Sequence, residues 1–173
     1  PVRFHYDFIG STWEGQDIPV KNVTIAHGST GNKVFTAHWE YSNVVNLDLA
    51  TNPSYQLLND EVLTGTGNAD THITIAEGAT VTLSNVDITG ITNDNDHKWA
   101  GISCLGNATI ILAEGTTNKV KGGHEYYPGI HVPQNNTLTF QGKGYLETSS
   151  NGNGCGIGGG YEINCGNIFI DGG

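Results

Sequence analysis

Trp99-Ala100-Gly101-Ile102, Tyr127-Pro128-Gly129-Ile130 and Gly154-Cys155-Gly156-Ile157 are three versions of one phrase. Their isoleucines lie 28 and 27 residues apart. An apolar run follows each phrase: Thr109-Ile110-Ile111-Leu112, then Thr137-Leu138-Thr139-Phe140, then Asn167-Ile168-Phe169-Ile170. A looser, earlier run is Thr80-Val81-Thr82-Leu83. The run ends Leu83, Leu112, Phe140 and Ile170 step by 29, 28 and 30 residues. A nearly fixed period of this size marks stacked units of one chain.

The units have no helical spacing. They are short β-runs broken by Gly, Asn and Ser, and Asn151-Gly152-Asn153-Gly154 and Gly158-Gly159-Gly160 are costly inside a helix. A period of about 28 residues fits one coil of three short strands and three corners, at ~3.3 Å per strand residue. The expected fold is therefore all-β: a right-handed parallel β-helix with a small β segment before it. Leu83, Leu112, Phe140 and Ile170 are expected to form one inward ladder, and Ile102, Ile130 and Ile157 another.

The chain has 173 residues, of which 25 are Gly and 14% are charged, with a formal net charge of −10. This charge argues against direct binding to nucleic acid. No apolar run reaches the ~18 residues of a membrane span, so membrane insertion is not expected. The sequence starts at Pro1 and ends at Gly173, just past an apolar run. It is expected to be a piece of a longer chain, continued through further C-terminal coils or associating end to end. Of three cysteines, Cys104 sits where the next unit has Val132 and is expected as a buried thiol. Cys155 and Cys165 fall within one coil, where a disulfide is open to them.

The first forty residues lack the period. Val23-Thr24-Ile25 and Val34-Phe35-Thr36-Ala37-His38-Trp39 flank Gly28-Ser29-Thr30-Gly31-Asn32, which predicts two strands around a turn. Residues 41–66 are expected to connect and to cap the first coil, with a strand at 43–49, a turn at Asn52-Pro53 and an apolar cover at 56–63. The repeat then occupies 67–173.

Two resemblances add to this. The Ile25-Ala26-His27-Gly28-Ser29-Thr30-Gly31-Asn32-Lys33 run and Ala37-His38-Trp39 resemble the C-terminal half of the Listeria–Bacteroides repeat, a β-grasp-like module of bacterial surface proteins. From Val62, the phrases already quoted, with Ile73-Thr74-Ile75-Ala76-Glu77-Gly78-Ala79 and Ala113-Glu114-Gly115, resemble the β-helical repeat regions of surface proteins from gut anaerobes. Those regions are often described as carbohydrate-binding domains. Cys155 departs from that pattern, where a small residue such as Ala is expected. The resemblance implies an extracellular protein of the bacterial cell surface, and a glycan or host surface protein as partner.

Candidate binding residues are the aromatics at one corner. Trp99 and Tyr127 hold equivalent places 28 residues apart, Tyr126 is adjacent, and Tyr161 falls in the following loop. A row of exposed rings can stack on the apolar face of sugars, whereas rings packed flat over the corner would only shield backbone. In Asn93-Asp94-Asn95-Asp96-His97, Asp94 and Asp96 are candidate calcium ligands, although the loop lacks the Gly and Glu of an EF-hand. Calcium is the one cofactor these residues suggest. Gly156-Ile157-Gly158-Gly159-Gly160 has no following Lys-Ser/Thr, so it is a corner and not a phosphate loop. No convergent set of acid, base and nucleophile is visible, so no enzyme is expected. The expected function is a non-catalytic adhesin or carbohydrate-binding module. The alternatives are a spacer rod without a ligand and a calcium-assisted polysaccharide lyase.

Overall fold

The computed structural model describes residues 6–49 and 54–172. The expected turn at Asn52-Pro53 lies outside the described residues. The chain is all-β and divides into two compact units, Pro1–Asn43 and Val44–Gly173.

The first unit is an antiparallel sheet of β1 (Tyr6–Trp13), β2 (Gln16–Val20) and β3 (Thr36–Tyr41), in the order β2-β1-β3. Gly15, with φ of 84°, closes the β1–β2 hairpin. A side chain at Gly10 would meet the Val20 backbone nitrogen at 2.5 Å, so the bulge there admits only glycine. Phe8 packs edge-on against Trp39 at 5.4 Å. β3 pairs with β1 rather than across the Gly28–Asn32 turn as expected, and Val23-Thr24-Ile25 forms no strand. Ile25 is 56% exposed, so among the described residues this stretch is not packed against an apolar partner.

The second unit is built from parallel strands. Its members are β4 (Val44–Asn46), β5 (Ser54–Leu57), β6 (Val62–Thr66), β7 (His72–Ile75), β8 (Thr80–Ile88), β9 (Ile102–Cys104) and β10 (Ala108–Leu112). They continue through β11 (Thr117–Lys121), β12 (Ile130–His131), β13 (Thr137–Gly142), β14 (Tyr145–Ser149), β15 (Ile157–Gly158) and β16 (Asn167–Ile170). One sheet runs β15-β12-β9-β7-β5. The other runs β14-β11-β8-β10-β13-β16, with β6 joining β8 and β4 joining β6. Long β8 serves two ladders. Thr80–Leu83 pairs with β10, and Asp87–Ile88 pairs with β11. The strand bends between them at Asn85, whose φ is 55°. Parallel pairing begins at Val44, so residues 41–66 supply strands of their own, and Val45, Leu57 and Leu63 are buried.

Period-2 alternation decides which side chains go inside. β8 and β10 alternate buried with half-exposed positions, and the buried set is apolar. Ile73 pairs with Ile102, Ile102 with Ile130, and Ile130 with Ile157. This column matches the expected one and extends it to Ile73.

The second expected column is corrected. Leu83 does stack on Leu112, but Phe140 pairs with Ile110, so the columns are Val81–Ile110–Phe140–Ile170 and Leu83–Leu112–Gly142. The slip is two residues, which keeps every side chain on its own face. Gly142 meets the need at the displaced position: with φ of 95°, a side chain there would lie 2.2 Å from the Leu112 carbonyl oxygen.

The glycine of the repeated phrase has an equally direct cause. A Cβ on Gly129 would come within 2.7–2.8 Å of the carbonyl oxygens of Val120, Ser149 and Gly156. Gly101 faces the Lys121 carbonyl at 2.6 Å. Three segments of backbone meet at this corner, and only glycine fits among them.

Polar side chains tie successive layers together. Asn118 is fully buried between Val86 and Tyr145; its Oδ1 accepts from the Val86 amide at 3.1 Å, and its Nδ2 donates to the Tyr145 carbonyl at 3.2 Å. Asn59, Asn85 and Asn107 likewise accept from the amides of Thr80, Thr117 and Thr137.

Ile102 is the centre of the isoleucine column, with no exposed surface. Ile102→Ala should destabilise the protein by about 3 kcal/mol, the middle of the range for a buried Ile. Ile157→Ala, at a half-buried position, should cost markedly less. Urea unfolding measures both. Equal costs would contradict the stacking order.

Candidate functional site

The corner phrase places the aromatics. Trp99 and Tyr127 each stand two residues before the crowded glycine, so the backbone delivers them to corresponding positions. Their environments nevertheless differ. Trp99 is half-buried; its indole N–H donates to the Thr71 carbonyl at 2.8 Å. Its ring stacks on His72 at 5.1 Å and 26°, and His97 lies 4.9 Å away. Tyr127 is also half-buried, with its backbone amide bonded to the His124 carbonyl at 3.0 Å.

Tyr126 and Tyr161 are 42% and 48% exposed. Their ring centroids are 5.2 Å apart at 39°. The Tyr161 amide donates to the Tyr126 carbonyl at 2.9 Å, which locks the two residues in register. The glycine run before Tyr161 makes this possible. A side chain at Gly160 would lie 2.8 Å from the Tyr126 carbonyl oxygen, and one at Gly159 would lie 2.0 Å from the Ile163 carbonyl oxygen. These glycines serve close backbone packing, as the corner reading expects.

Two hollows flank the rings. One, of about 440 Å³, is lined by Asn95, Lys98, Glu125, Tyr126, Tyr127 and Tyr161, among others. The second, of about 300 Å³, includes His72, Trp99, Ser103, Tyr127 and His131. Lys98, Tyr127 and Ile163 line both, so the hollows adjoin. All four expected aromatics therefore face this pair of hollows: Tyr126 and Tyr161 the first, Trp99 the second, Tyr127 both. Burial holds His72 and His131 below the usual imidazole pKa, which favours their neutral forms. The Tyr126 hydroxyl is pushed upward, first by its hydrogen bond to the Glu125 carboxylate and then by that group's charge.

His97 organises the acidic loop. Its Nε2 lies 2.9 Å from Asp70 Oδ1 and its Nδ1 lies 2.5 Å from Asp94 Oδ1. Both partners are carboxylates that only accept, so an imidazole satisfying both must carry both protons. The hydrogen bonds to Asp70 and then Asp94 raise the His97 pKa, and the one to His97 lowers that of Asp94. Asp94 Oδ1 also accepts from the amides of Asp96 and His97, at 2.9 and 3.2 Å. One oxygen of the candidate calcium ligand is thus engaged by three protein donors. Asp96 is exposed, and among the described residues no group of three or more His, Cys, Asp or Glu side chains is placed to hold a metal.

The sequence reading missed Asp70, His72, Lys98, Glu125 and His131. The period carried a signal for several of them: Asp70 and His97, His72 and Trp99, and Lys98 and Glu125 are each 27 residues apart, one turn of the repeat. Cys104 is buried as expected, and burial pushes its thiol up to about 12. Comparison of the chain with family models, curated proteins and solved structures finds no match.

His97 sets a pH window. Its folded pKa lies above the ordinary 6.5, so its stabilisation is complete below pH 6.5 and is lost as pH rises through the folded value. Asp94 lies below its ordinary 3.8, so its share is lost only as pH falls through that lower folded value. The melting temperature of the wild type relative to His97→Gln should therefore be highest at mildly acidic pH and converge as the solution becomes alkaline. A gap that widens with pH would contradict the clamp.

Proposed function

We propose that residues 44–172 form a right-handed parallel β-helix that binds carbohydrate without catalysis, as part of a secreted surface protein of a bacterium. The parallel ladders of both sheets and the continuous columns between them support the β-helix. Its hand follows the strong preference for right-handed crossovers between parallel strands. The likeness of 62–173 to β-helical carbohydrate-binding repeats supports the surface role, with a glycan or a glycan-bearing host surface as partner.

The carrying observation is the exposed Tyr126–Tyr161 pair beside two adjoining hollows. Leaving two large rings exposed forgoes burial that each would otherwise gain. Tyr126 and Tyr161 are the stacking platform, Tyr127 is the wall between the hollows, and Lys98 and Asn95 offer hydrogen-bond donors to hydroxyl groups. Glu125 is the one carboxylate lining the hollows among the described residues.

The spacer reading is favoured by one observation: Trp99 is held by Thr71 and stacked on His72. We therefore assign Trp99 to shaping the second hollow. Glycan-array screening followed by calorimetry tests the proposal. Tyr126→Ala and Tyr161→Ala should each weaken binding about tenfold, near the ~1.4 kcal/mol expected for a lost stacked ring. A chain that binds no glycan, or variants that bind unchanged, would contradict it.

A further inference from the structure

We propose that Cys155 and Cys165 form a redox-controlled disulfide that fixes the loop carrying Tyr161. Both thiols are free and exposed. The chain doubles back between them. The Val132 amide donates to the Gly158 carbonyl at 2.9 Å, while the Val132 carbonyl accepts from the Gly166 amide at 3.2 Å. Gly158 and Gly166 thus meet opposite polar groups of one residue, which brings Cys165 back beside Gly158. A Cβ placed on Gly158 would lie 3.7 Å from the Cys155 Cβ, 3.5 Å from the Cys165 Cβ and 3.7 Å from the Cys165 sulfur. Both cysteines therefore border the same small gap, and Gly158 leaves that gap without a side chain. A disulfide needs Cβ atoms about 3.5–4.5 Å apart; Cβ atoms 3.5 and 3.7 Å from one point lie at most 7.2 Å apart, so closing the bond requires the two limbs of the loop to approach by about 3–4 Å at most.

The limbs of the loop are already pressed together at Gly159 and Ile163. Tyr161 and Ile163 stand on that loop and line the first hollow. A bond at its base would reduce the loop's freedom and hold Tyr161 against Tyr126. Cys104 takes no part: it is buried, and its high thiol pKa leaves almost no thiolate.

The oxidant is a small-molecule disulfide. The thiolate of one cysteine attacks it, forming a mixed disulfide and releasing one small thiol. The second cysteine then displaces the other small thiol, closing the protein S–S bond; the two protein thiols lose two protons and two electrons, which reduce the small disulfide to two thiols.

Treatment of the whole chain with oxidised glutathione, followed by intact-mass and peptide mapping, is the test. The expected result is a mass lower by two hydrogens, a peptide link between Cys155 and Cys165, and reversal by excess thiol. Cys155→Ser should instead stop at a glutathione adduct on Cys165. Adducts on both cysteines of the wild type without the internal link would overturn the proposal. This readout is independent of any ligand. Its consequence for binding does rest on the carbohydrate reading: the oxidised protein should bind glycan more tightly than the reduced one, and loss of that difference with the link present would confine the disulfide to stability.

Discussion

Parallel hydrogen bonding between successive layers forces like positions to lie over like positions, and the rest of the second unit follows from that constraint. Ile73, Ile102, Ile130 and Ile157 are neighbours because their strands pair in register. Their burial supplies the hydrophobic gain, on the order of 2 kcal/mol for each fully buried side chain. Crowding at the corners supplies specificity. Where carbonyl oxygens of neighbouring segments converge on Gly129, no other residue fits, so the phrase returns wherever the chain turns that corner.

The same constraint delivers the surface proposed for binding. With Gly101 and Gly129 fixed, Trp99 and Tyr127 must stand at one edge of the β9–β12 ladder. What distinguishes them is local. Trp99 finds a carbonyl and an imidazole and is half-buried, whereas Tyr126, although it touches His124 and Tyr161, stays exposed, as does Tyr161. The Asp70–His97–Asp94 clamp bears on the same edge, because it holds the loop from which Asn95 and Lys98 reach the hollows. Structure and site are therefore made from one row of turns, with apolar columns inside and polar or aromatic side chains outside.

Much of the fold was legible in the sequence. The interval between Ile102, Ile130 and Ile157 reports strand stacking directly, because these strands are short and begin at a fixed corner. The interval between Leu112 and Phe140 misled, because spacing along the chain does not fix pairing when loops differ in length; the strand slipped by two and kept its faces. The aromatics were legible as members of the repeat. The polar residues around them were harder to read: His72 reaches Trp99 from the preceding layer, and His131, four positions after Tyr127, shares a hollow with it without forming a local motif. In the first unit the Gly28–Asn32 turn looked like a hairpin, but Val23–Ile25 pairs with no strand among the described residues, and β3 found β1 instead.

Methyl–methyl nuclear Overhauser effects in isoleucine-δ1-labelled protein test the stacking most directly. The account expects an unbroken chain of contacts from Ile73 to Ile102, from Ile102 to Ile130 and from Ile130 to Ile157, with none between Ile73 and Ile157. A spectrum in which Ile102 contacts neither Ile73 nor Ile130 would contradict it, and the corner that carries the aromatic site would lose its physical basis.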